Sequence, residues 1–304
     1  MEWKSPEGDL TGHVVICNCS DKVRRIVEEL HIETVEDRPD VVLVVQDEQL
    51  WRENPTWHPY EEDEFTREHF FVQLDDCADP LIERLHRVNI AEARAAVILA
   101  DPRHCKMADA RSTLVAVSIE HEAPQVHTVM ELISSVNRAH LQATDVNEVI
   151  CQGEIAEKLI AQSCISPGVK NIFQSLLTNT PGTNNIYVTP TPAEAVGLTY
   201  RELARRLILA SAPAILCGFL RPKSADRSTM SPSRLSSPPA KVEAASADAW
   251  SQLDFVINPR AGYRPGRESV LRAEDQLVVI ACRTPRLDGL IAGEQVSGAG
   301  SCTE

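Results

Sequence analysis

The chain has 304 residues and a formal net charge of −14, with 44 acidic against 30 basic side chains. That length accommodates two modest domains. The acidic balance speaks against nucleic acid as a partner, because no basic field exists to replace phosphate counterions, and it is compatible with binding cations.

Nine cysteines are scattered along the chain. Cys17 and Cys19 form a C-x-C pair, but no second pair lies at zinc spacing. Several sit inside apolar runs and read as reduced core residues of a cytosolic protein. The longest apolar stretch, 207–220, contains Pro213 and is too short to span a bilayer. Residues 1–10 are polar and acidic, unlike a signal peptide. No direct membrane insertion is expected, so a role at a membrane would come through a partner.

In chain order, 13–17 (HVVIC) is a β-branched apolar run, the first buried strand. Ser20 or Asp21 is placed to cap a helix over 22–30. The second buried strand is 41–45 (VVLVV), followed by Gln46, Asp47 and Glu48. This strand–turn–helix–strand–acid order opens a Rossmann-type unit. The glycine fingerprint is missing. Residues 17–22 (CNCSDK) contain no glycine, and Asp21 adds charge repulsion toward a pyrophosphate. Asp47 or Glu48 either holds a ribose hydroxyl or is simply solvated.

Residues 51–68 read as an irregular surface excursion before a short helix. Further strands are expected at 70–74, 95–100, 126–130 and 148–151, and helices at 80–88, 108–120 and 135–142. The alternation indicates a parallel, doubly wound sheet. Asp47, Asp76, Asp101, Asp109 and Glu131 fall at or just after strand ends. Ligands of such sheets sit there, so these acids are candidates for a hard cation such as Ca²⁺, or else solvate the rim and cap helices. Asp47, Asp76 and Asp101 are the candidate cofactor-binding residues.

Residues 154–177 read as two short helices broken at Pro167-Gly168. Val169, Ile172, Phe173, Leu176 and Leu177 form one apolar stripe, which either packs in its own core or enters a second subunit. Beyond it, strands at 186–189, 214–220, 255–257 and 277–281 and a helix at 199–209 make a small α+β lobe. The Ser/Pro/Ala-rich stretch 222–249 reads as a disordered insertion, passive or phosphorylated, and 286–304 as a flexible tail. The fold class is thus α/β. The domains are a Rossmann-like lobe at 1–151, an intersubunit helix-turn-helix arm at 152–180 and a carboxyl-terminal lobe at 181–285.

This order resembles the RCK domain, the regulator of potassium conductance, and most of all the first RCK domain of BK-type calcium-activated potassium channels. The likeness is carried by 12–17 (GHVVIC), 98–101 (ILAD) with 108–110 (ADA) and 117–119 (VSI), 137–141 (NRAHL), 159–168 (LIAQSCISPG), 197–203 (GLTYREL) and 256–259 (VINP). It spans about 12–285. The resemblance implies a cytosolic gating domain on the inner face of the membrane. It pairs with itself through the arm, assembles into a ring below a potassium-channel pore and couples ligand binding to opening. The pore is on another chain or has been removed, and residues 1–11 sit where its linker would enter.

The resemblance also implies metal ligands. Asp109 matches a calcium-binding aspartate of the BK-type pattern, whose acidic partner falls near Asn185, so a charge is lost. Glu131 matches one of two calcium-binding glutamates of other members, and the second falls at Ile133. Some members bind adenine nucleotides or NAD instead, and the missing glycines count against that. They also disfavour the alternative function, a nucleotide-binding regulatory subunit of a potassium uptake transporter. No enzyme is expected. No His–acid or Cys–His pairing stands out at a strand end, and His104 with Cys105 is a weak candidate.

Overall fold

A run of β-branched apolar residues without alternation needs cover on both faces, which a parallel sheet supplies. In a computed structural model, which describes residues 5–6, 10–33, 35, 37–59, 63–74, 80–101, 107–144, 146–180, 182–210, 212–222, 253–259, 269–283, 285 and 287, such runs take that place. Strands β1 (Val14–Cys17) and β2 (Val41–Val45) are buried along their whole length. With β3 (Phe70–Leu74), β4 (Ala95–Ile98), β5 (His127–Leu132) and β6 (Glu148–Cys151) they form a six-stranded sheet, ordered β3-β2-β1-β4-β5-β6. Every pairing in it is parallel. The chain winds outward from β1 to β3, returns, and winds outward again from β4 to β6. Strand order therefore reverses between β1 and β4.

Helices α1 (Val23–His31), α2 (Glu48–Glu53), α3 (Glu64–His69), α4 (Leu81–Arg87) and α5 (Ala108–Glu122) belong to this unit. Alternate residues of each strand point to opposite faces. Ile16, Leu43, Val45 and Val72 share one cluster with Val23, Val27 and Trp51. Val15, Cys17, Val42, Ile98 and Met130 share another with Leu85, Val115, Ala116 and Ile119.

Three local expectations are corrected. The expected irregular stretch 51–68 does end in a short helix, α3, but its start is helical too: α2 begins at Glu48, where the Asp47 carboxylate accepts a hydrogen bond from Leu50 N at 2.9 Å. Trp51 is buried and stacks on His58 with ring centres 3.9 Å apart, so this segment belongs partly to the core. Neither Ser20 nor Asp21 is the cap of α1. Lys22 takes that position, its N–H donating to Ser20 Oγ at 3.3 Å. Finally, 135–142 is helical as expected, but Ser135–Ala143 follows the tighter 3-10 path rather than the α path. The residues leading into it, Ile133 and Ser134, and Asn137 within it donate hydrogen bonds to Asp109.

Helices α6 (Gln152–Ile165) and α7 (Val169–Leu176) are separated by Ser166, Pro167 and Gly168, with Gly168 at φ +94°. That left-handed backbone favours glycine, and Pro167 cannot donate to a continuing helix. Neither helix contains a buried residue.

The described residues through Lys170 form one compact unit and those from Asn171 onward a second. The second unit holds β7 (Asn185–Pro190), β8 (Ile215–Pro222), β9 (Leu253–Ile257) and β10 (Gln276–Ala281), ordered β7-β10-β8-β9 and antiparallel throughout. Helix α8 (Tyr200–Ile208) starts at a capping box in which Thr199 and Glu202 satisfy each other's backbone N–H groups. Its Tyr200, Leu203 and Leu207 pack with Leu216, Phe219, Leu277 and Val279. Asp275 is buried and takes a two-pronged ion pair from Arg221, at 2.7 and 2.6 Å. Beyond Pro222, the stretch read as an insertion lies outside the described residues. So does the expected tail, apart from Leu287, which is buried in the core of the second unit.

Candidate functional site

The crevice between the carboxyl ends of β1 and β4 is where a doubly wound sheet receives a ligand. In this chain it is crossed by the protein's own side chains. Asn18 leaves β1 with φ +72°, a conformation asparagine tolerates. Its Nδ2 donates to Leu99 O at 2.7 Å, and its Oδ1 accepts from Gln46 Nε2 at 3.4 Å, so the ends of β2, β1 and β4 are tied together. Lys22 reaches across from the start of α1 and pairs with Glu131 Oε1. The second oxygen of Glu131 accepts from Ala100 N at 3.0 Å. The turn that holds glycines in a nucleotide-binding fold thus carries a cation, and that cation is already paired.

The acids expected at the sheet edge have distinct surroundings. Asp47 caps α2. Asp101 is buried and faces Arg111 Nη1 at 3.4 Å. Asp76 lies outside the described residues. Glu131 sits inside β5, which runs two residues further than expected, to Leu132. Asp109 is buried in the first turn of α5. Its Oδ1 accepts from Ile133 N at 2.8 Å, and its Oδ2 accepts from Ser134 N at 3.2 Å and Asn137 Nδ2 at 2.6 Å. Asp109 and Glu131 are therefore brought to one edge, but each addresses its own donors. Asn185 belongs to the second unit, at the start of β7. With its amide turned to suit its neighbours, it donates to Thr178 O at 3.1 Å and Asn184 O at 3.2 Å. Among the described residues, no group of three or more His, Cys, Asp or Glu side chains is arranged to hold a metal ion.

The edge continues into α6. Arg138 Nη2 donates to Glu154 Oε2 at 2.9 Å, and Lys158 Nζ to Glu154 Oε1 at 2.5 Å. The Lys158 hydrogen bond first, then the nearby charge of Arg138, holds the Glu154 carboxyl below the usual range. Sequence reasoning missed Lys22, Arg138 and Glu154 as members of this edge. The available signals were a lone cation in a turn that wants glycine and the NRAHL segment of the family resemblance.

No family model matches the chain. It is 26% identical over 285 residues to a pea (Pisum sativum) protein named "Probable ion channel SYM8", covering 88% of this chain and 26% of that protein. It is 29% identical over 101 residues to the calcium-activated potassium channel slowpoke of Drosophila melanogaster, covering 30% of this chain and 8% of that protein. It is 27% identical over 217 residues to the calcium-activated potassium channel slo-1 of Caenorhabditis elegans, covering 62% and 17%. The chain thus spans about a quarter or less of these relatives. Among solved structures, the human SLO3 gating ring superposes with a TM-score of 0.55 at 15% identity, over 88% of this chain and 43% of that one. No helix among the described residues is long and apolar enough to cross a membrane. With a parallel six-stranded sheet, a pair of uncovered helices and a small antiparallel sheet in that order, the chain shares the fold of that gating ring.

Proposed function

We propose that this chain is a ligand-sensing gating domain of a potassium channel, regulatory rather than enzymatic. It works on the cytosolic face of the membrane, on a pore that lies outside residues 1–304. Copies pair through α6 and α7 and build a ring. A ligand that favours one ring shape shifts the pore equilibrium by its difference in affinity for the two shapes.

The observation that carries this reading is the bareness of the two helices. Helices of 14 and 8 residues are marginal alone in water and normally gain their stability by packing. Yet Ile160, Ile165, Ile172 and Leu177 are 66, 76, 60 and 71% exposed. Burying such a side chain contributes about 1.5–3 kcal/mol, so a second copy of the arm supplies what one chain lacks.

Calcium is the ligand named first, because slowpoke and slo-1 are calcium-activated potassium channels. To bind it, Asp109 or Glu131 must exchange a present donor for the ion. A nucleotide has more to displace, since Asn18 and Lys22 both cross the crevice. Titration calorimetry with Ca²⁺, NAD and ADP, on the wild type and on Asp109→Ala, tests this. Calcium heat weakened by the substitution supports the reading. Saturable heat from NAD or ADP alone moves it to a nucleotide-binding regulatory subunit of a potassium uptake transporter. No heat from any of the three contradicts a sensor of these ligands.

A further inference from the structure

We infer that Asp109, Asn137, Arg138 and Glu154 form a brace that fixes the direction of α6 at the carboxyl edge of the parallel sheet, so that a rearrangement of that edge is handed to the arm. The geometry stands within the first unit alone. Its consequence for assembly rests on the pairing proposed above.

The segment 133–138 leaves β5 and is gripped from two sides. From α5, the buried Asp109 carboxylate accepts from the backbone N–H groups of Ile133 and Ser134 and from the side-chain amide of Asn137. From α6, Arg138 is paired with Glu154 in the first turn, and Cys151, the residue before the helix, donates its thiol to Ile133 O at 3.9 Å. Main-chain donors and a side-chain amide converge on one buried carboxylate, so losing one partner leaves a carboxylate oxygen underbonded where solvent access is small. Past that point α6 contains no buried residue, so its direction is decided where it begins. One six-residue segment therefore links the first turn of α5 to the first turn of α6.

The test is hydrogen exchange and sedimentation equilibrium on the full chain, comparing wild type, Asp109→Asn, Glu154→Gln and the double variant. Asp109→Asn aims an amide N–H₂ at donors, and Glu154→Gln removes the charge that holds Arg138. Each single change is expected to speed exchange in the second turn of α6 about threefold and to weaken self-association by a similar factor, leaving β1 to β3 unaltered. The double variant is expected to match the singles, because both cut one brace. Exchange in α6 that stays at the wild-type rate in Asp109→Asn overturns the inference, as does a double variant that shows the product of the two effects. Phe173→Asp separates the two claims: if it leaves self-association intact, the assembly reading fails while exchange in α6 still decides the brace. Should Asp109→Asn not fold, Arg138→Gln breaks the exposed end of the same path and takes its place.

Discussion

At the scale of single residues, Lys22 defines the crevice. A glycine there would open backbone N–H groups to a phosphate, whereas Lys22 carries its charge to the buried Glu131 and closes the gap. Lys22→Ala leaves Glu131 with the Ala100 N–H among the described residues, and should cost about 1–3 kcal/mol in a urea melt. An unshifted midpoint would mean that the pair contributes nothing. His13 gives a second prediction. Its ring is buried, Nε2 donates to Val88 O at 2.8 Å, and Nδ1 has no partner among the described residues. Burial holds His13 below the ordinary histidine range against the pull of Asp40. His31, facing Asp63, His69 and Arg38, and His127, facing Glu148, are lowered by burial too. Between the native and unfolded values the unfolded chain binds more protons, so stability rises with pH through that window. It should be full above about pH 6.5 and fall as the pH drops below that. A melting midpoint at pH 5.5 equal to or above that at pH 7.5 would contradict this. Acids such as Asp109 and Glu131 were legible in the sequence, because strand ends can be counted. Their partners were not, since most are backbone N–H groups, and those carry no signature in residue type.

At the scale of elements, glycine and proline act where geometry demands them. Gly218 in β8 is one such place: a Cβ there would stand 2.1 Å from Val256 O of the neighbouring β9. Gly218→Ala should push β9 from β8, cost about 1–3 kcal/mol and speed exchange of β9 amides while β1 stays protected. Retained stability would show that the two strands separate without penalty. The buried strands of both sheets were readable from β-branched runs, and the α6–α7 break from Pro167-Gly168. Helix α2 was not, because its burial rests on Trp51 alone in a polar segment. The 3-10 path of Ser135–Ala143 was not either, because the Asp109 grip on Ile133, Ser134 and Asn137 comes from 24–28 positions earlier in the chain.

At the scale of the whole molecule, the proposed function gives the parallel-sheet unit an edge for a ligand and the arm a surface for a second copy. The coupling proposed between them would be reciprocal: a ligand that favours the paired form binds that form more tightly by the same factor. The central claim is that α6 and α7 are uncovered because a partner copy covers them. Sedimentation equilibrium of the wild type beside the Phe173→Asp, Leu176→Asp double variant tests it most directly, with circular dichroism to confirm that both are folded. Self-association of the wild type and a folded monomeric variant are predicted. A wild type that stays monomeric at tens of micromolar, or a variant that associates as the wild type does, would contradict the account.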